Sequence, residues 1–76
     1  MATIIHQYYK GEFEGIKVLV QINPESLRGV ELVIDTANNI KKTKRVFDTD
    51  IYDDLAADNF IESSALEFNL YLKGLK

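Results

Sequence analysis

The sequence predicts an α+β fold: a four-stranded antiparallel β-meander followed by one or two C-terminal helices that pack on one face of the sheet. Up to residue 47, short segments alternate apolar and polar residues between turn residues, which is typical of antiparallel strands. At Asp48 the alternation ends and an acidic stretch begins that is typical of a helix start. We expect a single domain over residues 1–76, because a chain of 76 residues has room for only one core.

The predicted strands cover residues 3–9, 15–22, 30–35 and 40–47. The first is rich in β-branched and aromatic residues, which favour strands. In the second, Leu19 lies on the face opposite to its two neighbouring valines, so that face is expected to be partly covered as well. Pro24 ends the second strand, since proline has no backbone N–H to donate. The predicted core residues share the apolar face of the two clearest strands and are Val18, Val20, Leu32 and Ile34.

Charge predicts how the third and fourth strands pair. A three-residue loop over residues 37–39 places Asp35 opposite Lys41 and Glu31 opposite Arg45. Each such pair contributes roughly 0.2–1 kcal/mol. A two-residue loop would lose both pairs, so we expect the three-residue loop.

The C-terminal third is expected to be helical. Asp50 is a suitable N-cap for a first helix, and Asn59 is a suitable left-handed residue at its end. Residues 66–73 alternate as a fifth strand would, yet Ser64 and Glu67 have the spacing of a helix capping box. Because this segment contains no Val, Ile or Thr, we favour a helix and keep the fifth strand as the alternative.

Composition excludes several kinds of site. The chain has no cysteine and one histidine, which rules out disulfides, thiolate metal sites and a multi-histidine site within one chain. The acidic stretch departs from a calcium loop, because Asp53 stands where glycine is needed and Asn59 where glutamate is needed. We therefore expect no metal ion and no cofactor.

Neither an enzyme nor a membrane protein is expected. His6 has no nucleophile or orienting carboxylate placed beside it by a motif, so no catalytic residue is predicted. No apolar stretch approaches the roughly 18 residues of a membrane span, and no signal peptide is visible. We expect a cytoplasmic protein.

A basic segment suggests a nucleic-acid accessory protein as an alternative function. Its cationic residues are Lys41, Lys42, Lys44 and Arg45. In a strand these four side chains divide between the two faces, and the net charge of −3 also disfavours a polyanion. Nucleic-acid binding is thus expected to be weak at most and to fall steeply with salt.

The last segment predicts a protein-interaction surface. If it is helical, one stripe of apolar residues covers the sheet and consists of Ala65, Phe68, Leu72 and Leu75. A second flank then remains exposed, and we predict Leu66, Leu70 and Tyr71 as partner-binding residues. The expected function is a small non-enzymatic module that binds a protein partner or a second copy of itself as a homodimer, through a sheet edge or through this C-terminal segment.

Overall fold

The structure, a computed structural model, describes residues 5–73. Its elements are β1 (Gln7–Phe13), β2 (Ile16–Ile22), β3 (Arg28–Ile34), β4 (Ile40–Val46), α1 (Ile51–Ala57), β5 (Ile61–Glu62) and α2 (Ala65–Lys73). The strands form one antiparallel sheet in the order β4-β3-β2-β1-β5. The predicted α+β meander is confirmed, and its last segment is a helix. The fifth strand is a two-residue pairing before α2, which the sequence did not indicate.

The two helices pack on opposite faces of the sheet, which corrects the expectation that they share one face. Phe68 of α2 packs in one cluster with Leu19 and Leu32, whereas Leu55 of α1 packs in another with Val20. The reason is that β2 is apolar on both sides, and a short helix covers only one stripe. We call these the α2 face and the α1 face.

The predicted core residues are divided between the two faces rather than gathered on one. Val20, Leu32 and Ile34 are buried, with 3%, 0% and 6% of their surface exposed, and Val18 is half-buried. The two valines lie in the cluster with α1, and the other two lie in the cluster with α2. Leu19, expected to be only partly covered, is completely buried.

The predicted pairing of β3 with β4 is wrong by two residues. Ile34 lies opposite Ile40, which leaves a five-residue loop over residues 35–39. Within this loop the Asp35 carboxylate accepts hydrogen bonds from the backbone N–H groups of Ala37 and Asn39, both at 2.9 Å. These bonds satisfy two backbone N–H groups of the turn itself. The shift is even, so the side chains of β4 keep the predicted faces relative to those of β3.

Candidate interaction surface on the C-terminal helix

Helix α2 begins where the capping spacing predicted. The Ser64 hydroxyl accepts the backbone N–H of Glu67 at 3.1 Å, as an N-cap does. The Glu67 carboxylate does not complete the capping box. It accepts a hydrogen bond from the Ser63 hydroxyl at 2.6 Å and pairs with the Lys10 ammonium at 3.1 Å. Glu67 therefore connects the first turn of α2 to β1 of the sheet.

A second polar contact holds the last turn of α2. The Lys17 ammonium donates to the Tyr71 hydroxyl at 3.1 Å and lies 3.9 Å from the Glu67 carboxylate. The same ammonium stands 5.2 Å from the centre of the Tyr71 ring, within the range of a cation–π contact. Partly exposed pairs of this kind contribute about 0.2–1 kcal/mol each, so they orient the helix more than they stabilise the fold.

These contacts shift two pKa values in opposite directions. The hydrogen bond from Ser63 lowers the pKa of Glu67 below its ordinary value, and the bond and charge of Lys10 act in the same direction. The hydrogen bond to Tyr71 raises the pKa of Lys17. Both shifts favour the charged forms, so the network is fully formed at neutral pH.

The Glu67 network is expected to make stability depend on acid pH. A carboxyl group whose pKa is lowered by folding contributes stability above its unfolded pKa, near 4.5, and loses it as pH falls through the folded value. Urea unfolding of Glu67→Gln should therefore differ from the native chain above pH 4.5, and the difference should disappear in stronger acid. Glu25→Gln, an exposed glutamate in a loop, is the matched control. A difference for Glu67→Gln that stays constant with pH would contradict this role.

The outward flank of α2 carries two leucines. The side chains of Leu66 and Leu70 are 71% and 64% exposed, and their spacing of four residues places them side by side on successive turns. Asn69 and Lys73 lie on the same flank and are exposed as well. The inner flank is anchored by Phe68, which is 1% exposed. We call the outward residues the α2 flank: Leu66, Asn69, Leu70 and Lys73.

Other residues of the predicted stripes are placed differently. Tyr71 is half-buried against the core, and its hydroxyl is bonded to Lys17, so it belongs to the inner side of the helix. Ala65, expected to face the sheet, is exposed. Leu72 packs on the core as expected, and Leu75 lies outside the described residues.

The basic residues of β4 divide between the faces, as the strand pattern indicated. Lys42 and Lys44 lie on the α2 face, and Lys41 and Arg45 lie on the α1 face. Arg45 is occupied: its guanidinium pairs with Glu31 at 3.2 Å. The same guanidinium lies 6.0 Å from the centre of the Phe47 ring. The structure thus brings only pairs of these cations together, on an edge strand where lysine commonly blocks sheet-to-sheet aggregation.

The acidic residues of the predicted helix start and Asn59 have structural roles. Asp48 accepts the backbone N–H of Asp50 at 3.0 Å, and Asp53 lies in the first turn of α1. Asn59 has φ of 62° and closes the helix, since the backbone N–H groups of Asn59 and Phe60 both bond back to the last turn. Over residues 5–73, no group of three or more His, Asp or Glu side chains is arranged to hold a metal ion. In that same range no helix is long and apolar enough to cross a bilayer.

Sequence reasoning missed the lysines that hold α2 and one cation of β3. Lys10 and Lys17 lie on the α2 face, as the alternation of their strands indicates. Their partners on α2 are more than 50 residues away along the chain, so the sequence did not indicate these contacts. Arg28 lies on the α2 face opposite Val46 and beside Lys44. The sequence could have indicated the position of Arg28, because it lies two residues before Val30 and residues two apart in a strand share a face.

Comparison with known proteins assigns no relative to this chain. No family model matches the sequence. No curated protein matches it, and no solved structure matches the fold.

Proposed function

We propose that this chain is a small non-enzymatic module that binds a protein partner, or a second copy of itself, through the α2 flank. The observation that carries the proposal is the exposure of Leu66 and Leu70, at 71% and 64%, on a helix whose other side is fixed in the core. Neighbouring exposed leucines on one helix supply the apolar centre that a partner surface needs.

Energetics supports a surface of modest affinity. Complete burial of a leucine side chain contributes about 1.5–3 kcal/mol, so two leucines supply a useful part of the roughly 8 kcal/mol that micromolar binding requires. The polar neighbours Asn69 and Lys73 are placed to form the rim of such an interface. We therefore expect association in the micromolar range rather than a permanent complex.

The geometry supports a surface that is already formed before binding. Phe68 packs 5.5 Å from the ring of Tyr8, measured between ring centres. The contacts of Glu67 and Tyr71 with the sheet hold the helix at both ends. A partner would not have to order this helix, and the entropic cost of binding is lower for a surface that is already ordered.

Replacing Leu70 with lysine is expected to weaken association without destabilising the fold. Leu70 is 64% exposed, so the substitution removes little packing from the fold. An interface at this position would have to bury the charge of the new lysine. If the chain binds itself, sedimentation from about 1 to 100 µM, which spans micromolar affinity, should show a mass that rises with concentration. For Leu70→Lys the mass should remain that of a monomer.

The matched control is Ala57→Lys, which adds the same charge to an exposed helical alanine on the opposite face of the sheet. It should associate as the native chain does. If the native chain is monomeric, affinity capture from the source cell tests for a partner other than the chain itself. That partner should be lost with the double variant Leu66→Ser/Leu70→Ser and retained with Ala57→Lys. A monomer whose captured proteins are the same for both variants would contradict the proposal.

A further inference from the structure

A shallow depression lies on the α2 face, at the end of the sheet that α2 does not cover. It encloses about 500 Å³. Val30 and Val46 form an apolar floor, and Val46 is 76% exposed. Arg28 and Lys44 stand on the same face beside these valines, because Arg28 lies opposite Val46 and Lys44 lies opposite Val30. His6 completes the wall on the side of β1.

The charge of this depression has one sign. No acidic side chain is among the described residues that line it. Within residues 5–73, neither Arg28 nor Lys44 has a carboxylate partner within 4.0 Å. Arg45 also lines the depression, but its guanidinium is paired with Glu31. Two neighbouring cations beside the exposed Val46 and the half-buried Val30 favour a ligand that is anionic and apolar at once.

We propose that this depression binds an acidic segment of a partner protein. An apolar side chain of that segment rests on Val30 and Val46, and flanking carboxylates face Arg28 and Lys44. This site is separate from the α2 flank, and the proposal does not depend on the function assigned to that flank.

An acidic peptide suits the site better than a nucleic acid does. Single-stranded nucleic acids are held by stacking on exposed aromatic rings as well as by cations. None of the described residues that line the depression is a Phe, Tyr or Trp, so it offers no such ring for a base to stack on. The net charge of −3 also opposes a long polyanion more than a short segment with a few charges.

The test is an NMR titration of the full chain with a capped peptide of the sequence EELEE. Amide shifts are expected at residues 28–30 and 44–46, and the affinity should decrease with added salt. The peptide QQLQQ, which lacks the charges, and EESEE, which lacks the apolar side chain, should each bind more weakly. The variants Arg28→Gln and Lys44→Gln should each lower the affinity about two- to fivefold, as loss of an exposed charge pair does.

The matched control is Lys41→Gln, which removes the same charge from the opposite face of the same strand. It should leave the affinity unchanged. Equal binding of EELEE and QQLQQ, an equal loss with Lys41→Gln, or no shift at peptide concentrations up to about 5 mM, beyond millimolar affinity, would overturn the proposal. Tighter binding of a thymidine oligonucleotide at the same amides would also overturn it, in favour of a nucleic-acid site.

Discussion

Replacing Val20 with aspartate is expected to prevent folding. Val20 is 3% exposed and packs with Leu55 of α1. The substitution removes an apolar group worth about 1.5–3 kcal/mol and buries an unpaired carboxylate at a further cost of several kcal/mol. Glu31 lies directly opposite on β3 and adds a like charge. A domain of this size has a free energy of unfolding of about 4–11 kcal/mol. The expected loss is as large as most or all of that free energy.

Circular dichroism and thermal melting test this expectation. Val46→Asp is the matched control, because the same change is made at a valine that is 76% exposed and lies opposite Arg28. It should change stability by no more than about 0.5 kcal/mol. A cooperative melt of Val20→Asp near the native temperature would contradict the placement of β2 between two helices.

Replacing Phe68 with alanine is expected to cost about 3–5 kcal/mol, as in other truncations of a buried aromatic side chain. Phe68 is 1% exposed and holds α2 against Leu19 and Leu32. It also contacts the ring of Tyr8. The loss should appear in urea unfolding as a lower midpoint.

The control for this change is on the same helix. Leu66→Ala removes an apolar side chain that is 71% exposed and should change stability by about 0.5 kcal/mol or less. If the two alanine variants were equally stable, α2 would be oriented differently on the sheet from the structure described, and the α2 flank would no longer be the surface presented to a partner.

Local signals predicted the four longer strands and the two helices, but not the two-residue strand β5 or the pairing of β4. The spacing of Ser64 and Glu67 correctly indicated the start of α2, and Asn59 correctly indicated the end of α1. The pairing of β4 was predicted wrongly from charge: Asp35 accepts hydrogen bonds within its own loop and does not lie opposite Lys41. The ion pair of Glu31 and Arg45 nevertheless forms, as a diagonal rather than a direct pair.

The sequence also did not predict how the two helices are placed on the sheet. The position of Leu19 in the sequence indicated that the second face of β2 is partly covered, but not that a helix covers each face. The α2 flank follows from the phase of the helix, because burial of Phe68 turns Leu66 and Leu70 outward. The bond between Lys17 and Tyr71 joins residues 54 apart. No periodic pattern predicts a contact of that kind.

Site-specific photo-crosslinking shows which surface of the chain meets a partner in the cell. A benzophenone amino acid at position 66 lies on the α2 flank, and the same amino acid at position 53 lies at an exposed site on α1, on the opposite face. We expect irradiation in the source cell to give a discrete crosslinked product, a dimer or a defined heteromer, from position 66 and none from position 53. The same product from both positions, or no product from position 66, would contradict this expectation.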